Sequence, residues 1–181
     1  MKNEQLRHGQ RGITLIEACV TLAVVATVAT SAAPSLRGMF DTRRLDGTAS
    51  QLGHDLQFAR GTAVARNQRV RFSVHGTATG SCYVIHTGSA DQCECGNADG
   101  PAVCSGDAQE IKTIRLASAD RVTLQSNVSS ILFDPQHGTS TPTGTLHVVG
   151  ADGREVHQIV NVMGRVRACS PQGRVPGYLA C

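Results

Sequence analysis

Four arginines occupy the end of the chain. From Arg154 to Cys181 the sequence carries Arg154, Arg165, Arg167 and Arg174 against the single acid Glu155, a local balance of +3. A guanidinium is planar and permanently charged, and its forked donors match the oxygens of a phosphate. Arg165 and Arg167 are two residues apart, so in an extended strand both point to one face. Gly164, Ser170, Gln172, Gly173 and the backbone amides around them could add phosphate contacts, because nothing bulky blocks approach. The chemistry predicted is capture of a polyanion. The competing reading is a solvated strand edge, where charge discourages sheet-to-sheet association.

A second basic group, Arg60, Arg66, Arg69 and Arg71, has no acid between Asp55 and Asp91. It falls where a helix should end, and cations are favourable there on their own account. This group is therefore read as structural. It would widen a polyanion track only if it shared a face with the C-terminal arginines.

The cysteines form a second set. Cys19 lies in an apolar run, and Cys82, Cys93, Cys95, Cys104, Cys169 and Cys181 lie beyond it. Four thiolates with one Cys-x-Cys could hold zinc. Disulfides are favoured if this part of the chain is exported to an oxidising compartment. A Cys93–Cys95 bond would close a strained ring. The expected pairing joins Cys82 to one of those two and Cys104 to the other. Between Cys169 and Cys181 two Pro and two Gly exclude regular structure, and a bridge would close a loose tail, worth up to roughly 3 kcal/mol. The histidines (His8, His54, His75, His86, His137, His147 and His157) are scattered, and His75, His147 and His157 fall on outward strand positions. No nucleophile motif, phosphate loop or paired-His motif is present. The chain is read as a non-enzyme with no metal and no cofactor.

These side chains depend on a long helix and a set of strands to place them. After a basic leader, residues from Ile13 to Ala33 are almost all apolar, long enough to span a bilayer, and Glu17 is the one charge in the run. A carboxylate there costs free energy in lipid and usually has a partner or a job. Farther on, Leu45, Ala49, Leu52, Leu56, Ala59 and Ala63 are spaced 4, 3, 4, 3, 4, one stripe of an amphipathic helix. The pattern predicts a helix from Ile13 to Arg66, bent at Pro34. Val70, Phe72 and Val74 then alternate with polar residues, a half-buried strand. Further strands are expected at 82–87, 110–116, 121–125 and 130–133. Residues 146–149 and 155–162 should form a hairpin around Ala151-Asp152-Gly153. Residues 88–107 and 139–143 are expected to be loops. One long helix on an antiparallel sheet is an α+β domain.

Composition limits the alternatives. Aromatics make up 3% of the 181 residues and Trp is absent, so the core is aliphatic and a base-stacking platform is excluded. The leader holds Lys2, Arg7 and Arg11 of 17 basic residues and Glu4 of 14 acidic ones, so losing it would leave 14 against 13. Affinity for polyanions must then come from clustering. Basic residues before the span keep the leader cytoplasmic and export the rest.

The run Gly12-Ile13-Thr14-Leu15-Ile16-Glu17 resembles the processing signal of type IV prepilins and type II secretion pseudopilins. The run Ile131-Leu132-Phe133-Asp134-Pro135, with two strands and then Gly164-Arg165-Val166-Arg167, resembles the GspH/FimT family. The resemblance implies a pilin-like fold, cleavage after Gly12 by prepilin peptidase and methylation of Ile13. It assigns Glu17 to pairing with a neighbouring subunit during assembly. The parts would be a leader at 1–12, a membrane and filament helix at 13–36, and an exported domain at 37–181. Ile13 stands where Phe is commoner in the family. The Gly-Arg-x-Arg stretch is similar to the motif by which FimT-type minor pilins bind double-stranded DNA in natural transformation, with Arg154, Arg174 and Gln172 as further contacts. The alternative within the resemblance is a GspH-like pseudopilin with protein partners only. Either would sit in the bacterial inner membrane by a single span, then join other pilins in a periplasmic or extracellular filament.

Overall fold

The computed structural model describes residues 14–77, 80–96 and 100–181, without the side chains of 32–35 and 172. Gly12 and Ile13, expected at the cleavage site, and the side chain of Pro34, expected to bend the helix, lie outside the described residues.

Helix α1 runs Leu15–Arg66. Thr14 caps it: its carbonyl accepts from the Ala18 amide at 3.1 Å and its Oγ1 accepts from the Glu17 amide at 3.4 Å. Glu17 thus sits in the first turn, where a negative charge also favours the helix dipole. The far end closes in a Schellman arrangement. Asn67 takes φ +48°, and the amides of Gln68 and Asn67 bond the carbonyls of Ala63 and Val64.

The chain divides into two compact units at Met39/Phe40. In the first, the large apolar side chains among the described residues are open to solvent, from Leu15 (83% exposed) through Val20, Leu22 and Val28 to Met39. This part of α1 is long and apolar enough to cross a membrane.

The second unit holds the rest of α1 and all the strands. These are β1 (Val70–Thr77), β2 (Gly80–His86), β3 (Cys93–Glu94), β4 (Val103–Cys104), β5 (Glu110–Ala117), β6 (Val122–Ser126), β7 (Ser130–Phe133), β8 (Ser140–Thr141), β9 (Gly144–Gly150), β10 (Glu155–Val160) and β11 (Val166–Cys169). They pair antiparallel in a first sheet ordered β5-β2-β1-β7-β8, a second ordered β11-β10-β9-β6, and the small β3-β4 ladder. The expected α+β architecture is present, with two principal sheets in place of one.

The stripe read from the spacing is the helix's contribution to the core. Leu45, Ala49, Leu52, Leu56, Ala59 and Ala63 are all buried, and they pack with Phe72, Tyr83, Ile85, Ile131, Leu146, Val148, Val156 and Val160. Polar contacts fix the helix to each sheet. Asp55, buried on α1, accepts from the Tyr83 hydroxyl at 2.8 Å and from Lys112 Nζ at 2.6 Å. A buried carboxylate is tolerable when its oxygens are both satisfied. On the second sheet, the buried Gln158 donates from Nε2 to the Ala49 carbonyl at 2.8 Å. Gly53 makes room for it, since a Cβ there would lie 3.2 Å from that nitrogen.

Three disulfides staple the unit: Cys82–Cys95, Cys93–Cys104 and Cys169–Cys181. The first two select one of the two pairings left open by the sequence, and they leave those four sulfurs unavailable to zinc. They also account for β3–β4, a two-residue ladder inside the segment expected to be a loop: Cys93 and Cys104 are register partners. The other short strand, β8, likewise lies inside an expected loop. The strand expected to reach residue 162 ends at Val160, because Asn161 begins a turn.

Candidate nucleic-acid interface

The turn from Asn161 to Gly164 positions the first two arginines. The Gly164 amide bonds the Asn161 carbonyl at 2.8 Å, and the Arg165 amide bonds Asn161 Oδ1 at 3.0 Å. An Asn at the start of a tight turn and a Gly at its end match the local preferences. Gly164 is buried with φ +67°, and a Cβ on it would collide with the Gly138 carbonyl oxygen and lie 2.8 Å from Arg60 Nε. The glycine is therefore required by the fold, whatever it contributes to a ligand.

Arg60 ties this turn to the helix. Its Nε donates to the Gly138 carbonyl at 2.8 Å, and Gly138 is held by the Asp134 turn, where Asp134 accepts from the amides of Gln136 and His137. Those amides hold the Asp134 carboxyl below its ordinary range. Ser140 completes the bracket, with its amide on the Val162 carbonyl and its hydroxyl on the Asn161 carbonyl. Arg60, Gly164 and Arg165, with Gln57, Gly61 and Val166, line an open cleft of about 400 Å³.

Arg165, just before β11, and Arg167, within it, are both exposed, while Val166 between them packs toward the core. The two guanidinium groups share the outward side, as their spacing predicts. Neither has a hydrogen-bond or ion-pair partner among the described residues. β11 is the edge of its sheet.

The tail after β11 is anchored. Val175 is fully buried in the core, and the Tyr178 hydroxyl donates to Asp46 Oδ1 on α1 at 2.8 Å. Burial, together with that bond, pushes the Tyr178 hydroxyl up to about 12. Ser170 is buried, donating to the Glu155 carbonyl and accepting from the Val175 amide. Arg174 follows the short helical turn Pro171–Gly173 and is exposed, with no ion-pair partner among the described residues. The side chain of Gln172 lies outside the described residues.

The structure does not bring all the expected arginines together. Arg154 stands in the β9–β10 turn, six strand residues from the Arg165 turn, and is ion-paired with Asp152. Of the second basic group, Arg60 joins the cleft and Arg66 and Arg69 are exposed. Arg71 is committed to Ser130 Oγ at 2.9 Å, and burial lowers its pKa. The sequence placed Arg60 in the second basic group but did not reveal that it alone of that group meets Gly164 and Arg165, since its place depends on a contact across 78 residues. Asn161 was legible in principle from the Asn-x-x-Gly turn pattern.

One Ser–His pair exists elsewhere. Ser73 Oγ lies 2.8 Å from His86 Nε2, and His86 Nδ1 lies 2.8 Å from the Thr87 carbonyl. Ser73 and His86 are 1% and 0% exposed, so no substrate reaches them as the chain is folded. Burial lowers the His86 pKa.

Residues 48–164 match the family described as type II transport protein GspH. The chain belongs to this family of minor pilins and pseudopilins, whose members are structural subunits. Its fold is similar to that of the Pseudomonas aeruginosa type IV minor pilin FimU. One crystal form is 19% identical with a TM-score of 0.53, covering 72% of this chain and 95% of that one. A second form gives 18% and 0.50, covering 71% and 98%. No curated protein matches the chain. The family match ends at Gly164, so Arg165, Arg167, Arg174 and the Cys169–Cys181 loop lie beyond it.

Proposed function

We propose that the chain is a minor pilin of a type IV pilus that binds double-stranded DNA without sequence preference, for uptake in natural transformation. The observation that carries this reading is the display of Arg165, Arg167 and Arg174 on exposed backbone with no acidic partner among the described residues. Arg60 stands in the adjoining cleft. Unpaired guanidinium groups on a rigid edge suit phosphate, and they would position the protein on a duplex without reading bases. Arg154, bound to Asp152, is assigned no contact in this reading.

The N-terminal segment is assigned the family's role. Prepilin peptidase would cut between Gly12 and Ile13, Ile13 would be methylated, and residues 13–36 would cross the inner membrane before packing among other pilins. The exposed apolar side chains of this segment support that assignment, because they need either lipid or neighbouring helices to cover them. Glu17 bonds Thr14 through its backbone amide and not through its carboxylate, which is compatible with pairing of that carboxylate to a neighbouring N-terminus. The exported domain, 37–181, would then be displayed on the filament.

A second reading keeps the same processing and makes the chain a GspH-like pseudopilin of type II secretion. The edge position of β11 favours it, because charge on an edge strand discourages unwanted pairing without any ligand. Chromosomal replacement with the Arg165→Gln, Arg167→Gln double variant separates the two. The DNA reading expects transformation to fall while protein secretion is unchanged. Unchanged transformation in a strain that assembles the variant would overturn it.

A further inference from the structure

We propose that His147, Glu155 and His157 form a binding site for one divalent transition-metal ion, with Zn(II) the best fit. The hairpin register places His147 directly opposite His157 on β9 and β10, and Glu155 lies two residues before His157 on the same strand. All three therefore project from the outward face of the second sheet. The imidazole rings are 4.1 Å apart between centroids and tilted by 55°, so they are not stacked flat and their nitrogens can converge.

The distances suit a small ion. Glu155 Oε2 lies 3.0 Å from His157 Nε2 and 3.7 Å from His147 Nδ1. A tetrahedral zinc with bonds of roughly 2.0–2.1 Å sets its ligand atoms about 3.3–3.4 Å apart. The observed pair of distances brackets that value, and all three ligand atoms lie within 4.8 Å of one another. Small side-chain rotations complete the geometry on a backbone fixed by the ladder. Two imidazoles and one carboxylate are the donor set that zinc, nickel and copper prefer, whereas calcium and magnesium take oxygen.

Access is open and the shell is defined. The side chains of His147, Glu155 and His157 are 32%, 37% and 17% exposed. An ion can enter, and a fourth position faces solvent. The Ser170 hydroxyl holds the Glu155 carbonyl at 2.9 Å, which fixes the strand beneath the carboxylate. Cys181 Sγ lies 3.8 Å from His157 Nδ1, but it is oxidised in the bond to Cys169 and is not a ligand. Without metal, His157 Nε2 lies within hydrogen-bond distance of Glu155 Oε2. This inference does not depend on the DNA reading.

The test is calorimetric titration of zinc chloride into the full chain in detergent micelles, with cobalt(II) as a visible-absorption probe. One zinc per chain is expected, with the absorption bands of four-coordinate cobalt. His147→Ala and His157→Ala should each weaken zinc by roughly tenfold or more, while His137→Ala leaves it unchanged. X-ray absorption at the zinc edge of the unmutated protein should show two imidazole ligands, which keeps the test decisive if a variant misfolds. No saturable zinc binding, unchanged affinity in a folded His147→Ala variant, or a sulfur-only or oxygen-only shell would overturn the proposal.

Discussion

Substituting Gly164 by Ala tests the geometry that holds the arginine turn. Both Gly164 and Gly173 have positive φ, +67° and +64°. An L residue in that region costs about 1–2 kcal/mol. Part of this is offset, because Ala also restricts the unfolded chain by about 0.4–1 kcal/mol relative to Gly. Gly173→Ala, with nothing within 4 Å of the new Cβ, should therefore cost only about 0.5–1 kcal/mol. Gly164→Ala carries the same backbone penalty and adds a collision with the Gly138 carbonyl and with Arg60. Overpacking of that kind adds roughly 1–3 kcal/mol, for a total of about 1.5–4 kcal/mol. Urea unfolding of the two variants beside the parent measures the difference. Equal destabilisation by both substitutions would refute the close approach of Arg60, Gly138 and Gly164, and with it the cleft they form.

Other outcomes follow from the same structure. Replacing Cys169 and Cys181 with Ser opens the tail loop and should cost up to about 3 kcal/mol by the chain-entropy relation; partial proteolysis should then cut first between them. At high pH, the raised Tyr178 pKa means that the Tyr178–Asp46 contribution is whole below about pH 10 and lost as pH climbs to about 12. A spectroscopic phenolate titration against urea midpoints checks that window, and an unchanged midpoint across it would contradict the contact. At low pH, His86 has a lowered pKa, so its contribution is present above about pH 6.5 and lost as acid charges the buried ring. His86→Gln should flatten that acid limb.

Much of the fold was legible because burial has a period. The helical stripe from Leu45 to Ala63 and the alternation in β1, β9 and β10 each record one buried face, and Asp152-Gly153 marks the hairpin between the last two. The division into two sheets was not legible, because alternation shows that a strand is half-buried but not which strand is its neighbour. The β3–β4 ladder is too short to carry a period and is fixed by Cys93 and Cys104. At the candidate site, the common face of Arg165 and Arg167 followed from their spacing. The engagement of Arg154 by Asp152 lies within two residues and could have been foreseen. The arrival of Arg60 beside Gly164 depends on the packing of α1 and could not. His147 and His157 looked scattered because their meeting is set by hairpin register, ten residues apart in sequence.

In the proposed function, the exposed arginines of the last strand and tail hold DNA. Fluorescence anisotropy of a labelled duplex against salt concentration tests it most directly. Three unpaired arginines, Arg165, Arg167 and Arg174, predict a slope of log K against log salt of about −2.7. The Arg165→Gln, Arg167→Gln double variant should bind more weakly, with a slope near about −0.9, while Arg154→Gln leaves the slope unchanged. A double variant that binds the duplex as tightly as the parent, with the same slope, would contradict the claim.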